Sequence, residues 1–467
     1  MNKKRITTSL LLTFLVEVIN KLAPFFVLYL AKTRLGTERF GYSQFAINLM
    51  ETAIPFVVFS YVIVGSKEVN RLRDDPVKLG SMLSSMIMLR SLHAFMTIAA
   101  LAFICGYFPQ YQPYFKLVLI LSFVLVASAF EMTHVLIATQ RFHFVNLSLG
   151  LTKIFSLYLI YRAVHSPEDA DLYAILSLGT NAIVCFISMV IALRYVRLYP
   201  PQWVFILDLF RKGSYLAVIY IGLNLLDRYD VFLVERFSGT VGAALYIGPA
   251  RISQSLHGII ASGSLIFLSE LIGLNSRDKI TAHVGVSVLF GSIFLIPVCV
   301  GIWFVDKAVI TFIFGDDYAS TARLLSLLVL AAGAQGFLTI FGFQVLALKD
   351  EIRKFGTFIF MGLFVGIVSA CVLVPYCGLY GVAMAALGAK LLSAILVTRE
   401  AQKFLGEFHW RWIMKPIFAA ICMGLVLFFL NPNLKPIFII LIAAGVYGAV
   451  LSLSTRREIL SLVRKYL

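Results

Sequence analysis

Val284-Gly-Val-Ser-Val-Leu-Phe-Gly-Ser-Ile-Phe-Leu-Ile-Pro-Val-Cys-Val-Gly-Ile-Trp-Phe304 runs 21 residues without a charge, between Asp278-Lys279 and Asp306-Lys307. Wound as an α-helix at about 1.5 Å per residue, such a stretch reaches roughly 30 Å, the thickness of a bilayer's hydrocarbon core. Working outward, apolar blocks of this kind recur along the chain with short polar breaks. They predict helices at roughly 7–31, 41–64, 80–106, 115–136, 146–163, 172–193, 214–235, 242–270, 284–304, 323–347, 356–375, 380–398, 416–431 and 436–454. The expected fold is an all-α polytopic membrane protein of about fourteen transmembrane helices.

Composition agrees. The chain has 467 residues, 60% of them hydrophobic and only 14% charged, with a mean hydropathy of +0.90. Soluble domains carry about a quarter charged residues. The formal charge of +16 does not indicate nucleic acid, because no basic run exceeds three residues and the cations gather at the ends of alternate apolar blocks. The six cysteines lie in or beside apolar blocks without metal-ligand spacing and read as small apolar residues. The apolar stretch after Met1-Asn-Lys-Lys-Arg5 carries Glu17 and Lys21 and lacks a small-residue cleavage site, so it is expected to stay as the first span rather than act as a signal peptide.

Of the 40 Lys and Arg residues, 25 fall on the side of the N-terminus when loops are assigned alternately, 9 on the other side and 6 inside spans. The positive-inside rule therefore places both termini in the cytoplasm. No loop exceeds about 20 residues, so none holds a catalytic domain. The longest cytoplasmic connection, 194–213, combines Pro200-Pro201 with the amphipathic Phe205-Ile-Leu-Asp-Leu-Phe210 and reads as an interfacial linker between two halves.

The halves share a signature. Phe26-Val-Leu-Tyr-Leu-Ala-Lys-Thr-Arg-Leu-Gly-Thr-Glu-Arg-Phe-Gly-Tyr42 joins spans one and two, and Val231-Phe-Leu-Val-Glu-Arg-Phe-Ser-Gly-Thr-Val-Gly-Ala-Ala-Leu-Tyr246 joins spans seven and eight. Each is an apolar helix end, a glycine turn, then Gly and Tyr near the next helix start. Six helices separate the two sites, so a repeat would have the same topology in both halves. The expected domains are a six-helix lobe at 1–193, the linker at 194–213, a second six-helix lobe at 214–400, and a helix pair with a tail at 401–467.

Inside the spans lie six cations, Lys21, Arg90, Lys153, Arg228, Arg251 and Lys390, and six acids, Glu17, Glu51, Glu131, Asp227, Asp230 and Glu270. Each charge is costly in lipid and should face a bundle interior or a water-filled cavity. Arg90, Arg251 and Lys390 fall near the midplane, where transporters hold substrate. Arg251 has no acid within a turn on its own helix, and Gln254 and Ser255 follow it, which suits an anion-binding cation. Glu17 with Lys21 reads as a structural i,i+4 pair, and Asp227, Arg228 and Asp230 as a cluster ordering spans seven and eight. Arg90 with His93, and Glu131 with His134, are i,i+3 pairs that read first as a polar network and second as part of a proton path. Pro24, Pro55, Pro249 and Pro297 sit within spans as candidate hinges.

Walker A, His-Glu-x-x-His and Gly-x-Ser-x-Gly sequences are absent, which disfavours ATP-driven transport or hydrolase chemistry in this chain. Asp169-Ala-Asp171 matches a glycosyltransferase metal motif but sits in an outward loop with no domain around it. No enzyme, metal or cofactor is expected.

Leu35-Gly36…Phe40-Gly41-Tyr42, Asn224-Leu-Leu-Asp-Arg-Tyr-Asp230 and Ser238-Gly-Thr-Val-Gly-Ala-Ala-Leu-Tyr-Ile-Gly-Pro-Ala-Arg-Ile252, with Phe314-Gly-Asp-Asp-Tyr318 and Val374-Pro-Tyr-Cys-Gly-Leu-Tyr-Gly-Val-Ala383, together carry a resemblance. The chain resembles the polysaccharide flippases of the MOP exporter superfamily, the Wzx-type O-antigen and exopolysaccharide translocases, and more distantly the lipid II flippase. The resemblance implies two six-helix lobes in a V around a central cavity. It implies a substrate of undecaprenyl-pyrophosphate-linked oligosaccharide, moved from the cytoplasmic to the periplasmic leaflet, with cationic cavity residues holding the headgroup.

Arg251 falls on the family's span-eight arginine in its Ala-Arg context. Arg90, Lys21 and Lys390 are further headgroup candidates, and Gln44 and Gln254 candidate sugar contacts. Coupling to H+ or Na+ is assigned to Glu51, Glu131, His134, Asp227 and Asp230 as candidates. Polysaccharide polymerase or assembly proteins are candidate partners beside the bilayer itself. The rival within the superfamily is a cation-coupled multidrug exporter, which calls for acidic residues without competing cations. A membrane polymerase or ligase of lipid-linked glycans is a third reading, set back by the short outward loops.

Overall fold

The computed structural model describes residues 3–139, 143–271, 276–406, 411–430 and 436–466, without the side chains of 3–22, 143–146, 262–270, 411–412, 436–437 and 454–466. The chain is all-α, with no strand among the described residues. Helices α1 (Lys3–Val58), α2 (Tyr61–Arg71), α3 (Pro76–Tyr107), α4 (Phe115–Leu121), α5 (Phe123–Ala129), α6 (Thr133–Ala138), α7 (His143–Ala163) and α8 (Ala170–Ala192) lead to the long α9 (Trp203–Leu271). Then follow α10 (Arg277–Phe314), α11 (Ala322–Phe341), α12 (Ile352–Cys377), α13 (Leu379–Gln402), α14 (Arg411–Phe429) and α15 (Pro436–Tyr466).

Among the described residues, seven helices are long and apolar enough to cross a membrane, or eight if the pair Pro109–Leu121 and Phe123–Ala138, bent by 42°, is one span. The apolar segments read from the sequence overlap helices among the described residues, the second broken at 59–60 and the fourth at 122 and 130–132, while α14 and α15 contribute shorter apolar stretches, Ile413–Phe429 and Phe438–Leu453. The protein is a multi-pass membrane protein. Its large exposed apolar residues, such as Phe95, Phe364 and Phe428, belong to this setting, since lipid-facing side chains need no burial.

Two long helices are interrupted at the glycines of the repeated signature. Gly36 has φ 71° and ψ 170° within α1, and Gly239 has φ 64° and ψ −170° within α9. Both lie in a region that only glycine visits at low cost. The two turns that looked alike as sequence thus share one backbone geometry.

The chain divides into two compact units, Met1–Ile247 and Gly248–Leu467. In the first, α1 packs on α7 and α8, α3 on α5, and α2 on α6. The start of α9 lies on this unit. Ser85 Oγ accepts from the Gln202 N–H at 2.9 Å, and Ser60 Oγ donates to the Gly213 carbonyl at 2.7 Å. Ile206 and Leu209 are buried while Trp203, Val204 and Leu207 stay exposed, the one-sided pattern of an interfacial helix. In the second unit α13 packs on α11 and α12, and α10 on α11 and α14, with α14 against α15. The window of highest hydropathy around α11 is 83% buried, which makes it the centre of that unit.

Candidate functional site

Arg90 is the largest side chain buried below 2% exposure. It extends from α3 toward a gap in the fourth span. Residues 130–132 are non-helical between α5 and α6, so the backbone groups there lose their helical partners. Arg90 Nη1 donates to the freed Glu131 carbonyl at 2.6 Å, and the Met132 N–H donates to Ser188 Oγ of α8 at 3.1 Å. The Glu131 carboxylate, 17% exposed, stands 3.9 Å from Arg90 Nη1, too long for a charge-assisted hydrogen bond. Arg90 Cζ also lies 5.8 Å from the Tyr61 ring centroid, within cation–π range.

A second interruption faces the same arginine. Phe59, between α1 and α2, has φ 54°, a left-handed conformation that is strained for a bulky side chain. Its ring packs on His93, centroids 4.8 Å apart, and on Tyr61 at 5.3 Å. His134, in the first turn of α6, is 1% exposed. Ser66 Oγ donates to its carbonyl at 3.3 Å, and a Cβ on Gly65 would come within 2.8 Å of its ring. The absent side chain at position 65 is what makes room for the imidazole. His93 also lines a cavity of about 550 Å³ in this unit, with Thr52, Thr97 and Phe210 among its walls.

Glu51, Asp227 and Asp230 are engaged as well. Arg228 Nη1 donates to Glu51 Oε2 at 2.6 Å and to Asn48 Oδ1 at 3.0 Å, joining the seventh span to the second. Buried Asp230 accepts from Tyr246 Oη at 2.7 Å, which ties together the two arms of α9 on either side of Gly239. Asp227 is half-buried beside Arg228. Gln44 is 2% exposed and donates to Tyr173 Oη at 2.6 Å, so in this conformation it braces α1 against α8.

Arg251 and Gln254 are half-buried on the second arm of α9, which Ser253 anchors by donating to the Leu328 carbonyl at 2.5 Å. Ser255 Oγ donates to the Arg251 carbonyl at 2.9 Å. Lys390, in α13, is 4% exposed. These three belong to the second unit, as Arg90, Glu51, Glu131, His134, Asp227 and Asp230 belong to the first. The side chains of Lys21, Glu17 and Glu270 lie outside the described residues. No group of three His, Cys, Asp or Glu with metal-binding geometry occurs among the described residues.

The sequence profile of a family described as polysaccharide biosynthesis proteins matches residues 6–265, more than half of the chain. The chain belongs to this family. Among solved structures, a lipid II flippase MurJ in an inward closed conformation superposes with a TM-score of 0.75 at 16% identity, covering 96% of this chain and 100% of MurJ. An inward-facing multidrug resistance MATE transporter of the MOP superfamily gives 0.61 at 13% identity, over 84% of this chain and 97% of the MATE chain. A MOP superfamily transporter from Pyrococcus furiosus, described as having a binding pocket of reversed polarity, gives 0.55 at 15% identity, over 85% of this chain and 94% of that one. At these identities the likeness establishes the fold, that of MOP-superfamily flippases and transporters. No curated protein matches the chain by sequence.

For this member of the polysaccharide biosynthesis proteins, the i,i+3 pairs Arg90–His93 and Glu131–His134 are brought into one place. Reading the sequence missed Tyr61, Ser188 and the helix breaks that organise them. Only Gly65, a small residue in an apolar helix, was a visible trace.

Proposed function

We propose that the protein is a flippase that moves an undecaprenyl-pyrophosphate-linked oligosaccharide, an O-antigen or exopolysaccharide repeat unit, from the cytoplasmic to the periplasmic leaflet of the bacterial inner membrane. The observation that carries this reading is the burial of cations within spans. Arg90 is 1% and Lys390 4% exposed, and Arg251 is half-buried. Guanidinium and ammonium groups held away from water suit a pyrophosphate and repel an organic cation. Family membership supports the polysaccharide pathway, and the likeness to MurJ supports a lipid-linked cargo.

In this mechanism Arg251, with Arg90, Lys390 and Lys21, binds the headgroup, Gln254 and Gln44 meet sugars, and the lipid tail stays in the bilayer. Two six-helix lobes, 1–193 and 214–400, rock about the 194–213 linker, with 401–467 as an added helix pair. Both termini face the cytoplasm. Glu51, Asp227 and Asp230 serve the polar network that couples the lobes to an ion gradient, and polymerase or assembly proteins receive the product.

The test is the leaflet in which lipid-linked oligosaccharide accumulates when Arg251→Ala replaces the wild type at equal protein level. Accumulation on the cytoplasmic face is expected. Normal translocation would remove Arg251 from the site. A deletion with drug sensitivity and no glycan phenotype would instead support a multidrug exporter, the reading that the MATE-like fold keeps open.

A further inference from the structure

Spans two and four both lose helical geometry beside Arg90, and neither break contains glycine or proline. Phe59 holds φ 54°, and residues 130–132 are non-helical. Irregular backbone at membrane depth is tolerated where it is buried in protein, and in transporters it marks the places where ions and substrates bind. At this place the polar groups are only partly satisfied. Arg90 Nε and Nη2, Tyr61 Oη, His93 Nδ1 and both ring nitrogens of His134 are buried without a hydrogen-bond partner among the described residues. Buried polar atoms are otherwise nearly always paired, so a group of them calls for an explanation.

We propose that His134, with Glu131 as its counter-charge, is a proton-binding site formed by the paired breaks of spans two and four. The chemistry of the cluster selects the ligand. Sodium takes a shell of oxygen ligands, as hard cations do, yet the carboxylate here faces Arg90 and the remaining bases are imidazole nitrogens. A proton needs only one such lone pair. Neutral His134 takes it from hydronium, an N–H bond forming as the hydronium O–H breaks and water is left. The imidazolium then competes with Arg90 for Glu131, which lies three residues earlier and is held loosely at 3.9 Å.

Arg90 from α3 faces this pair, Cys185 from α8 and Tyr220 from α9 face its Glu131, and Tyr61 from α2 and His93 from α3 face Arg90 in turn. Arg90 opposes the proton and Glu131 favours it, so the site fills only as Glu131 turns from one partner to the other. That exchange loosens the guanidinium's hold on the break, because Arg90 donates to the carbonyl of the same residue whose carboxylate stands 3.9 Å from it. The proposal rests on the flippase reading for its use, as the counter-ion site of the transport cycle, while its test needs no substrate.

Histidine-selective 15N labelling of the full-length protein in lipid nanodiscs provides that test. The resonance lost in His134→Gln identifies the residue, and His134→Asn gives a second assignment should that variant fold poorly. The His134 ring is expected to pass from neutral to cationic as the pH is lowered across the range in which the protein stays folded. Glu131→Gln should move the midpoint down by about one pH unit, since it removes the charge that favours the proton. Sodium at fixed pH should leave the resonance in place. A ring that stays neutral throughout, a midpoint indifferent to Glu131→Gln, or a shift driven by sodium would each overturn the proposal. The leaflet assay on Arg251→Ala fails or succeeds separately: a titrating His134 in a protein without a glycan phenotype sinks the flippase reading and leaves the proton site standing.

Discussion

At Gly36 and Gly239 the helices break where a glycine permits it; at Phe59 and at Glu131 they break where the local sequence would have continued. The first pair shares one backbone geometry, φ 71° and 64° with ψ near 180°, and a Cβ at either position would meet nothing within 4 Å. Those turns are held by intrinsic backbone preference. The second pair is held by partners distant in sequence: at Glu131, Arg90 and Ser188 supply the hydrogen bonds that an unbroken helix would have supplied to itself, and at Phe59 the ring packs on His93. A break of the first kind belongs to the chain, and a break of the second kind belongs to the fold.

Substitutions separate the two kinds. The largest effect is expected for Arg90→Leu, which leaves the Glu131 carbonyl and carboxylate without their guanidinium and should cost about 3–5 kcal/mol, the usual penalty for removing one partner of a buried pair. The thermal midpoint of the purified protein in detergent reads it, and an unchanged midpoint would mean that the fourth span breaks for a reason of its own. Gly36→Ala and Gly239→Ala should each cost about 1–3 kcal/mol through backbone strain alone. Near-equal losses are expected in the same assay. A large inequality would show that one of the two turns is also held by its surroundings.

The smallest effect is expected for Ser188→Ala, which removes the acceptor for the Met132 N–H at a cost of about 1 kcal/mol. Hydrogen exchange at residues 130–135 should rise selectively in this variant. Equal protection would indicate that the backbone re-forms a helical bond when released, and the comparison with Gly36 would weaken accordingly.

Much of this architecture was legible in the sequence, since hydrocarbon thickness, helical rise and hydropathy act on contiguous residues. The repeated glycine turns were legible for the same reason, φ above zero being a property of a single residue. Of the site, the i,i+3 pairs Arg90–His93 and Glu131–His134 could be seen on their own helices, but nothing local says that α3 sets them side by side. Gln44 shows the limit from the other direction: a midspan glutamine reads as a sugar contact, and only the fold shows its amide 2.6 Å from Tyr173 Oη. Arg228 likewise read as part of a cluster on its own helix, whereas its hydrogen bonds go to Glu51 and Asn48 of the second span.

By itself the sequence determined that this chain spans a membrane many times as helices, where its glycine turns fall, and that charges are kept inside the spans, because each of these follows from the character of residues near one another in the chain. Only the tertiary structure decided which buried charges meet, where spans two and four give up their helices, and which histidine is left with unpaired nitrogens. Those outcomes depend on groups up to 180 residues apart, as Arg228 and Asn48 are, and inside a protein a polar atom takes whichever partner the packing brings within about 3 Å.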